Sequence, residues 1–535
     1  MISLQINDQK IEVPEGTMLI HAAKKVGVEV PTMCYLDGYS HFTSCMVCMV
    51  QDKNTGMMLP ACSQPVAEGM VIETDNPEVN DNRKETLELL MSDHVGDCVA
   101  PCQRTCPAHM NIPLMNQYIE VGKYHEALVT VKQRIALPAV LGRICPAPCE
   151  NNCRRTQVDR TISICSLKCF VADDDLKSET PWLPDCKNPT GKKVAIIGSG
   201  PTGLSAAYYL QQDGHACFIY DNNEKPGGML RYGVSEKILP HDVLDAEINT
   251  IRKLGAEFIM NTAIGTDISF AEIREQHDAV ILATGQLTPE LLKKLGVKAT
   301  TKSVKIDNST FQTSEDGIFA GGNVVTPGKL AIRSVGHGKT ISECVHKYLN
   351  NKLEKKPLNR ALSKVGKIKI HELDEYAQGI EDLKDDVYNE EFHRPLLEGN
   401  IPGIPESEAK GEASKCMQCG CASFYVCKLR IYSERYQINS QRFKPEVRRD
   451  VERVLDHPMV VYEPGKCIQC GLCVRITEED GEDIGLTFVG RGFEVKIDPP
   501  LNKTMDQGME KTAIRCIDAC PSGALAYKNK MCGCK

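Results

Sequence analysis

Apolar residues at Ile2, Leu4 and Ile6, and again at Ile11 and Val13, alternate with polar ones, the period of two that a half-buried strand requires. The chain is therefore expected to open with a hairpin, and the pattern from Thr17 to about Val26 predicts a helix after it. Residues 81–188 read as helical, with an apolar-periodic stretch from Tyr118 to Leu141. Three later runs predict strands: a buried one beginning at Lys192, then Cys217–Tyr220 and Ala279–Leu282. A charged, Pro-containing linker is expected over 356–412. No uninterrupted apolar run approaches the ~20 residues of a membrane helix. The N-terminus has neither the basic nor the apolar region of a leader, so the chain is expected to be soluble and unexported.

Cysteine content changes the picture, because 26 cysteines are present and most fall into five groups. A cytosolic chain has no use for so many thiols as disulfides, whereas thiolates two or three residues apart converge on soft metal centres. A reducing cytoplasm is the expected compartment. The formal net charge is −8 and the mean hydropathy −0.27, with both signs interspersed, which points to protein partners rather than nucleic acid or an anionic membrane. Length allows roughly three to five domains.

The first group is Cys34-x10-Cys45-x2-Cys48-x13-Cys62, in which a loop wraps a 2Fe-2S centre and a distant fourth thiolate closes it. Zinc is the alternative, but zinc knuckles usually carry two close cysteine pairs and only one is present. This segment, 1–80, resembles the N-terminal ferredoxin-like domain of the large iron-sulfur subunit of respiratory complex I and of iron-only hydrogenases.

Residues 81–188 carry His94-x3-Cys98-x3-Cys102-x3-Cys106-Pro107 and Cys145-x3-Cys149-x3-Cys153. Neither run alone fills two four-ligand sites, so each cluster must borrow from the other run. With Ile112-Pro113, Gly142-Arg143, Glu150 and Ile164 to Phe170, the string resembles the N-terminal domain of the glutamate synthase small subunit, of NADH-dependent ferredoxin:NADP transhydrogenase and of dihydropyrimidine dehydrogenase. That resemblance implies two interleaved 4Fe-4S clusters, one on Cys98, Cys102 and Cys153 and the other on Cys106, Cys145 and Cys149. His94 is the candidate fourth ligand of the first. Cys165, favoured over Cys169, is the candidate for the second.

From Lys192 a strand runs into Gly198-x-Gly200-Pro201-x-Gly203 and a helix, where glycines permit a tight turn and close approach of a pyrophosphate. Asp221 closes the next strand, where an acid can hold a ribose. Gly227-Gly228-Met229-Leu230, Ala283-Thr284-Gly285 and Gly317 to Asn323 follow in the order of the FAD domain in the same glutamate synthase family. The resemblance implies FAD held by Gly198, Gly200, Pro201, Gly203, Asp221, Gly228, Leu230, Thr284, Gly285, Gly322 and Asn323, the last in place of the family's usual aspartate. It also implies an inserted NADP(H) domain, yet only 31 residues separate Gly285 from Gly317. One βαβ unit already needs about 30, so this flavin is expected to exchange electrons with clusters or a partner.

Cys416-x2-Cys419-x-Cys421-x5-Cys427 is expected to hold one 4Fe-4S centre, with a four-cysteine zinc site as the alternative. Cys467-x2-Cys470-x2-Cys473 with remote Cys520-Pro521 predicts a ferredoxin-type centre, for which Cys516 competes with Cys520. This last piece again resembles a cluster domain of the complex I large subunit. Cys186, Cys217 and Cys344 read as small buried hydrophobes, and the tail pair Cys532 and Cys534 is open.

The expected fold is multidomain α/β with small cluster domains: a β-grasp ferredoxin-like domain (1–80), a helical two-cluster domain (81–188), a Rossmann-like FAD domain (189–355), the linker (356–412), a four-cysteine segment (413–456) and a ferredoxin-like 4Fe-4S domain (457–535). The expected function is electron relay through one 2Fe-2S cluster, about four 4Fe-4S clusters and FAD, with electron bifurcation open and no catalytic side chain assigned. Family kinship implies an FMN-containing NAD(H)-oxidising partner and a small 2Fe-2S subunit. It also admits a formate dehydrogenase or hydrogenase subunit, and ferredoxin. Two rivals are a self-contained NADPH-using oxidoreductase and a non-catalytic iron-sulfur scaffold.

Overall fold

The computed structural model describes residues 1–286, 295–300, 303–328, 330–355, 362–373 and 404–528. Most of the expected linker, and both Cys532 and Cys534, lie outside the described residues. The described residues form two compact units, one from 1–100, 362–373 and 419–528, the other from 101–355 and 404–418. The first unit is thus discontinuous in sequence.

In that unit Ile2–Ile6 pairs antiparallel with Gln9–Val13, placing Ile2 opposite Val13 and Leu4 opposite Ile11, and it pairs parallel with Val71–Glu73. Met49–Asp52 and Met58–Pro60 complete a five-stranded sheet. Leu4, Ile6 and Val13 are buried in one core with Leu19, Ala22 and Ala23 of the helix Leu19–Lys25, as their alternation demands. Cys48 and Cys62 lie in this same core. The helix Pro77–Ser92 follows, capped by Asn76, whose side chain accepts from Val79 N at 2.8 Å. It packs on the helix Lys428–Arg435. Buried Glu88 accepts from Asn439 N at 2.8 Å and from Arg442 Nη1 at 3.0 Å, a second tie to the far end of the sequence. Further along, Val460–Tyr462 pairs antiparallel with Leu525–Tyr527.

The other unit is built on an all-parallel sheet in the order Ile318–Ala320, Ala279–Leu282, Lys193–Ile197, Ala216–Tyr220, Glu257–Ile259. All four residues of Ala279–Leu282 are buried, as a strand covered on both faces requires. The helices Pro201–Gln212 and Ala331–Leu349 pack closely at Gly338, where a Cβ would lie 2.5 Å from Thr202 O.

Helices Ile112–Glu120, Tyr124–Lys132, Pro138–Ile144 and Ile164–Lys177 form the helical part, which is fused to the sheet part through a shared core containing Leu137, Val140, Leu204 and Ile248. Glu247, on the helix His241–Lys253, reaches across this junction. Its Oε1 accepts from Ala139 N at 2.8 Å and its Oε2 from Val140 N at 2.9 Å, at the amide-rich start of the helix that ends at Cys145.

Burial pushes the Glu247 carboxyl up to about 7, against the pull of those two amides. An acid raised in the fold stabilises the folded state most below its unfolded value of 4.5, and that contribution is lost as pH climbs to about 7. The Glu247→Gln variant titrates nothing there. Calorimetric unfolding of wild type and variant at about pH 5 and about pH 8 is expected to show wild type gaining on the variant by a few kcal/mol at the lower pH.

Candidate cluster and dinucleotide sites

Cys34, Cys45, Cys48 and Cys62 are all buried and converge. Cys45 N donates to Cys34 Sγ at 3.5 Å, and thiol hydrogen bonds link Cys34 to both Cys45 and Cys62, and Cys48 to Cys62. These bonds pull Cys34 below the ordinary thiol range and push Cys62 above it. Four buried sulfurs brought together in this way form a donor set that fits a 2Fe-2S group.

A second set departs from the expected grouping. Cys98 was assigned with Cys102 and Cys153, and the four cysteines from Cys416 to Cys427 were assigned to one site. Instead Cys421 N donates to Cys98 O at 3.4 Å, and Cys421 raises the thiols of Cys98 and Cys427 electrostatically, with Cys98 adding to the effect at Cys427. Burial first, then these neighbours, pushes Cys98 up to about 11 and Cys427 up to about 12. Spacing could not reveal this grouping, because more than three hundred residues separate Cys98 from Cys421.

His94 lies beside the second set. Ser363 Oγ donates to His94 O at 3.0 Å, while Cys98 N donates to Ser363 O at 3.2 Å. The His94 Nδ1 is closed off from solvent without a hydrogen-bond partner. Burial and the nearby Lys466 ammonium lower the imidazole to about 4, so it is the neutral, ligating form.

Cys102 lies on Pro101–Thr105, which packs against the turn Glu150–Asn152 that Cys153 follows. Arg155 Nη1 donates to Lys415 O at 2.9 Å, so the chain at Cys416 returns to that same turn. Cys419, partly buried, belongs with the residues of the first unit.

Cys106, Cys145, Cys149 and Cys165 gather around Lys168. Hydrogen bonds to Cys165 first, and burial second, push the Cys145 and Cys149 thiols up. Lys168 is buried with its Nζ 3.6 Å from Cys165 Sγ. Its burial opposes the charge, but the four thiols outweigh it and hold the ammonium above its ordinary range. Cys169 stands apart from this set, accepting from Arg143 Nη1 at 3.3 Å and donating to Asp173 at 3.5 Å.

In the C-terminal part Cys467, Cys470, Cys473, Cys516 and Cys520 line one cavity with Tyr462, Ile497 and Pro521. Both rivals for the fourth position are present. Burial pushes Cys467 and Cys516 each up to about 12. Of the cysteines read as buried hydrophobes, Cys217 and Cys344 are buried, but Cys186 is exposed in the stretch between helix and sheet.

The dinucleotide fingerprint follows from strand register. Ile197 pairs with Tyr220, which sets Asp221 beside Ser199, and Asp221 Oδ2 accepts from Ser199 N at 2.7 Å and from Ser199 Oγ at 2.6 Å. Its Oδ1 accepts from Asn223 N at 2.9 Å, so the acid braces the glycine loop. A Cβ on Gly203 would overlap the Gly198 carbonyl, and one on Gly228 would lie 2.9 Å from Gly200 Cα. Gly322 is closed by Thr202, whereas Gly200 and Gly285 face open space with nothing within 4 Å of a Cβ. Pro201 is the first residue of the helix, and Thr284 Oγ1 is buried without a partner. An open cradle at a helix start with an orphaned hydroxyl beside it fits a pyrophosphate. The Leu230 side chain is buried in the core. Asn323 lies in the short turn Gly322–Val324 after the last strand.

Comparison with known proteins agrees with this geometry. Residues 1–77 match the model of a 2Fe-2S iron-sulfur cluster binding domain, 78–180 that of dihydropyrimidine dehydrogenase domain II with a 4Fe-4S cluster, 196–256 an NAD(P)-binding Rossmann-like domain, and 457–526 the ferredoxin-like domain of NADH-quinone oxidoreductase subunit 3. The chain thus joins a 2Fe-2S domain, a 4Fe-4S domain, a Rossmann-like domain and a ferredoxin-like domain. It is 42% identical over 207 residues to the beta subunit of NADP(+)-dependent formate dehydrogenase from Moorella thermoacetica, a match covering 35% of this chain and 29% of that one. It is 38% identical over 208 residues to the beta subunit of NADPH-Fe(3+) oxidoreductase from Geobacter sulfurreducens, covering 38% and 30%. To the small chain of NADPH glutamate synthase from Bacillus subtilis it is 33% identical over 251 residues, covering 46% and 50%. The chain thus spans half or less of the length of these relatives. Among the described residues no helix is long and apolar enough to cross a membrane.

Gly200 and Gly203 separate binding from folding. Gly200→Ala meets nothing in the protein, so its melting temperature without nucleotide is expected to stay within a degree or two of wild type while bound dinucleotide, measured by release and chromatography, falls at least tenfold. Gly203→Ala collides with backbone and is expected to lower the melting temperature itself.

Proposed function

We propose that the chain is the electron-transfer subunit of a multisubunit NAD(H)-linked oxidoreductase, relaying electrons between partner subunits through five iron-sulfur sites and an FAD. One observation carries the reading: Cys34 and Cys45, Cys427, and Cys470, from three separate thiol sets, share one apolar core with Met33, Val47, Leu87, Leu429 and Leu472. Cys427 Sγ also donates to Pro521 O at 3.6 Å, next to Cys520. Sites built this close, with apolar side chains between them, suit one-electron relay and have no purpose in isolated structural metal sites.

In this reading Cys34, Cys45, Cys48 and Cys62 hold the 2Fe-2S cluster. Cys98, Cys421, Cys427 and His94 hold one 4Fe-4S cluster, and Cys106, Cys145, Cys149 and Cys165 another. Cys102, Cys153 and Cys416 contribute to a third, while Cys467, Cys470 and Cys473 hold the last with Cys520 or Cys516. These groups supply one-electron carriers, and FAD supplies the exchange between one- and two-electron chemistry. Gly200, Gly285 and Thr284 receive the dinucleotide. Gly336 lets the helix after Asn323 touch the Cys106 loop, since a Cβ there would lie 2.5 Å from Pro107 O. The nucleotide fold and a thiol set are thereby in direct contact within one unit. The 31 residues between Gly285 and Gly317 leave no room for a second nucleotide domain, which favours FAD over a nicotinamide cofactor in the fold present. The proposed NAD(H) partner carries FMN, and a formate dehydrogenase or hydrogenase subunit is the proposed far end of the relay.

The names of the relatives, which include NADP(+) and NADPH, favour a second reading in which this chain is reduced by NADPH directly. Anaerobic isolated chain is expected to contain FAD that neither NADH nor NADPH bleaches, with reduction appearing once an FMN-containing NAD(H)-oxidising subunit is added. Rapid stoichiometric bleaching of the isolated chain by NADPH would establish the second reading instead.

Iron should approach about 18 atoms per chain, for one 2Fe-2S and four 4Fe-4S clusters. Electron paramagnetic resonance distinguishes the ligand sets. Cys98→Ser and Cys421→Ser are expected to remove the same 4Fe-4S signal, His94→Ala to weaken it, and Cys102→Ser a different one. Cys48→Ser should remove only the 2Fe-2S signal.

A further inference from the structure

Lys168 is buried at 3% exposure, on the helix Ile164–Lys177, one turn after Cys165. A lysine so placed normally reaches solvent or a carboxylate, because desolvating an ammonium costs several kcal/mol. Here its Nζ lies 3.6 Å from Cys165 Sγ, and Cys145, Cys149 and Cys106 complete the thiol set around it. The contrast is Lys466, equally buried in the other unit but ion-paired to Glu463. A lysine neutralised by a carboxylate contributes little field at a neighbouring metal site. Lys168 instead faces a thiol sulfur, and the carboxylate bordering that set, Glu150, accepts from Cys165 N at 2.8 Å.

We propose that Lys168 is a potential-setting residue: its fixed positive charge against Cys165 raises the reduction potential of the 4Fe-4S cluster held by Cys106, Cys145, Cys149 and Cys165. This rests on the ligand set given under the proposed function. The cluster gains one electron on reduction and no bond is made or broken. Lys168 keeps its proton in both states, so the thiolate pocket becomes more negative by one charge. A cation fixed a few ångströms away stabilises the more negative state more strongly, and the surrounding burial weakens the screening that water would give.

The consequence is directional. The Cys106 loop is the one that touches Gly336 on the nucleotide-binding side, so the cluster nearest that fold is also the one poised to accept electrons. Without the cation, the same four-thiolate pocket would be harder to reduce than its neighbours and would act as a barrier to electrons leaving the flavin.

Redox titration of the full chain followed by electron paramagnetic resonance tests this, with the cluster's signal assigned by its loss in Cys149→Ser. At a fixed ambient potential Lys168→Met is expected to lower the reduced-to-oxidised ratio of that signal at least tenfold, a shift of 59 mV for a one-electron couple, and to leave the other signals in place. Lys168→Arg, which keeps the charge, is expected to stay within about threefold of wild type. An unshifted signal in Lys168→Met with full iron content overturns the proposal, as does an equal shift in Lys168→Arg. Should Lys168→Met not assemble the cluster, wild type decides: the assigned signal is expected at a higher potential than the other 4Fe-4S signals, and a lower one overturns the proposal. A failure of the ligand set is read separately, as retention of the assigned signal in Cys165→Ala.

Discussion

Buried thiols cannot all ionise together unless a cation sits among them, and that constraint governs this molecule. Burial first, with neighbouring thiols adding to it, pushes Cys98, Cys427, Cys467 and Cys516 to about 11 or 12. Such pockets are poor places for free cysteines. Metal replaces the protons, and its binding energy becomes folding energy for whatever segments carry the ligands.

The same constraint explains why distant parts of the sequence meet. Cys98 meets Cys421 through a backbone hydrogen bond, and the helix Pro77–Ser92 meets Lys428–Arg435 at an apolar core that holds Leu87, Leu429 and the thiols of Cys34, Cys45, Cys427 and Cys470. Glu88 and Ser363 pin the approaching segments by hydrogen bonds to backbone. In the other unit Glu247 plays the corresponding part, holding the start of the helix that ends at Cys145.

Charge near the thiols is distributed unequally. Lys466 faces a carboxylate, Arg143 is taken by Asp173 and Cys169, and Lys168 faces thiols. Pockets with nearly identical sulfur ligands can therefore differ in the ease with which each takes an electron. That difference is what a relay with a preferred direction requires.

Local patterns in the sequence were enough for the hairpin, the parallel strands, the glycine fingerprint and the chemistry of the cysteine groups, because each depends on residues a few positions apart. Pairing of Ile2 with Val13 and convergence of Cys34, Cys45, Cys48 and Cys62 needed no distant information. The partition of Cys98, Cys102, Cys416 and Cys421 did. Sequence spacing assigns ligands to the nearest neighbours along the chain, but Ala100 and Pro101 fall in different units, as do Gln418 and Cys419, so nearest in sequence is not nearest in space. The burial of Lys168 was equally invisible: a lysine reads as exposed until the helix that carries it is packed against four thiols.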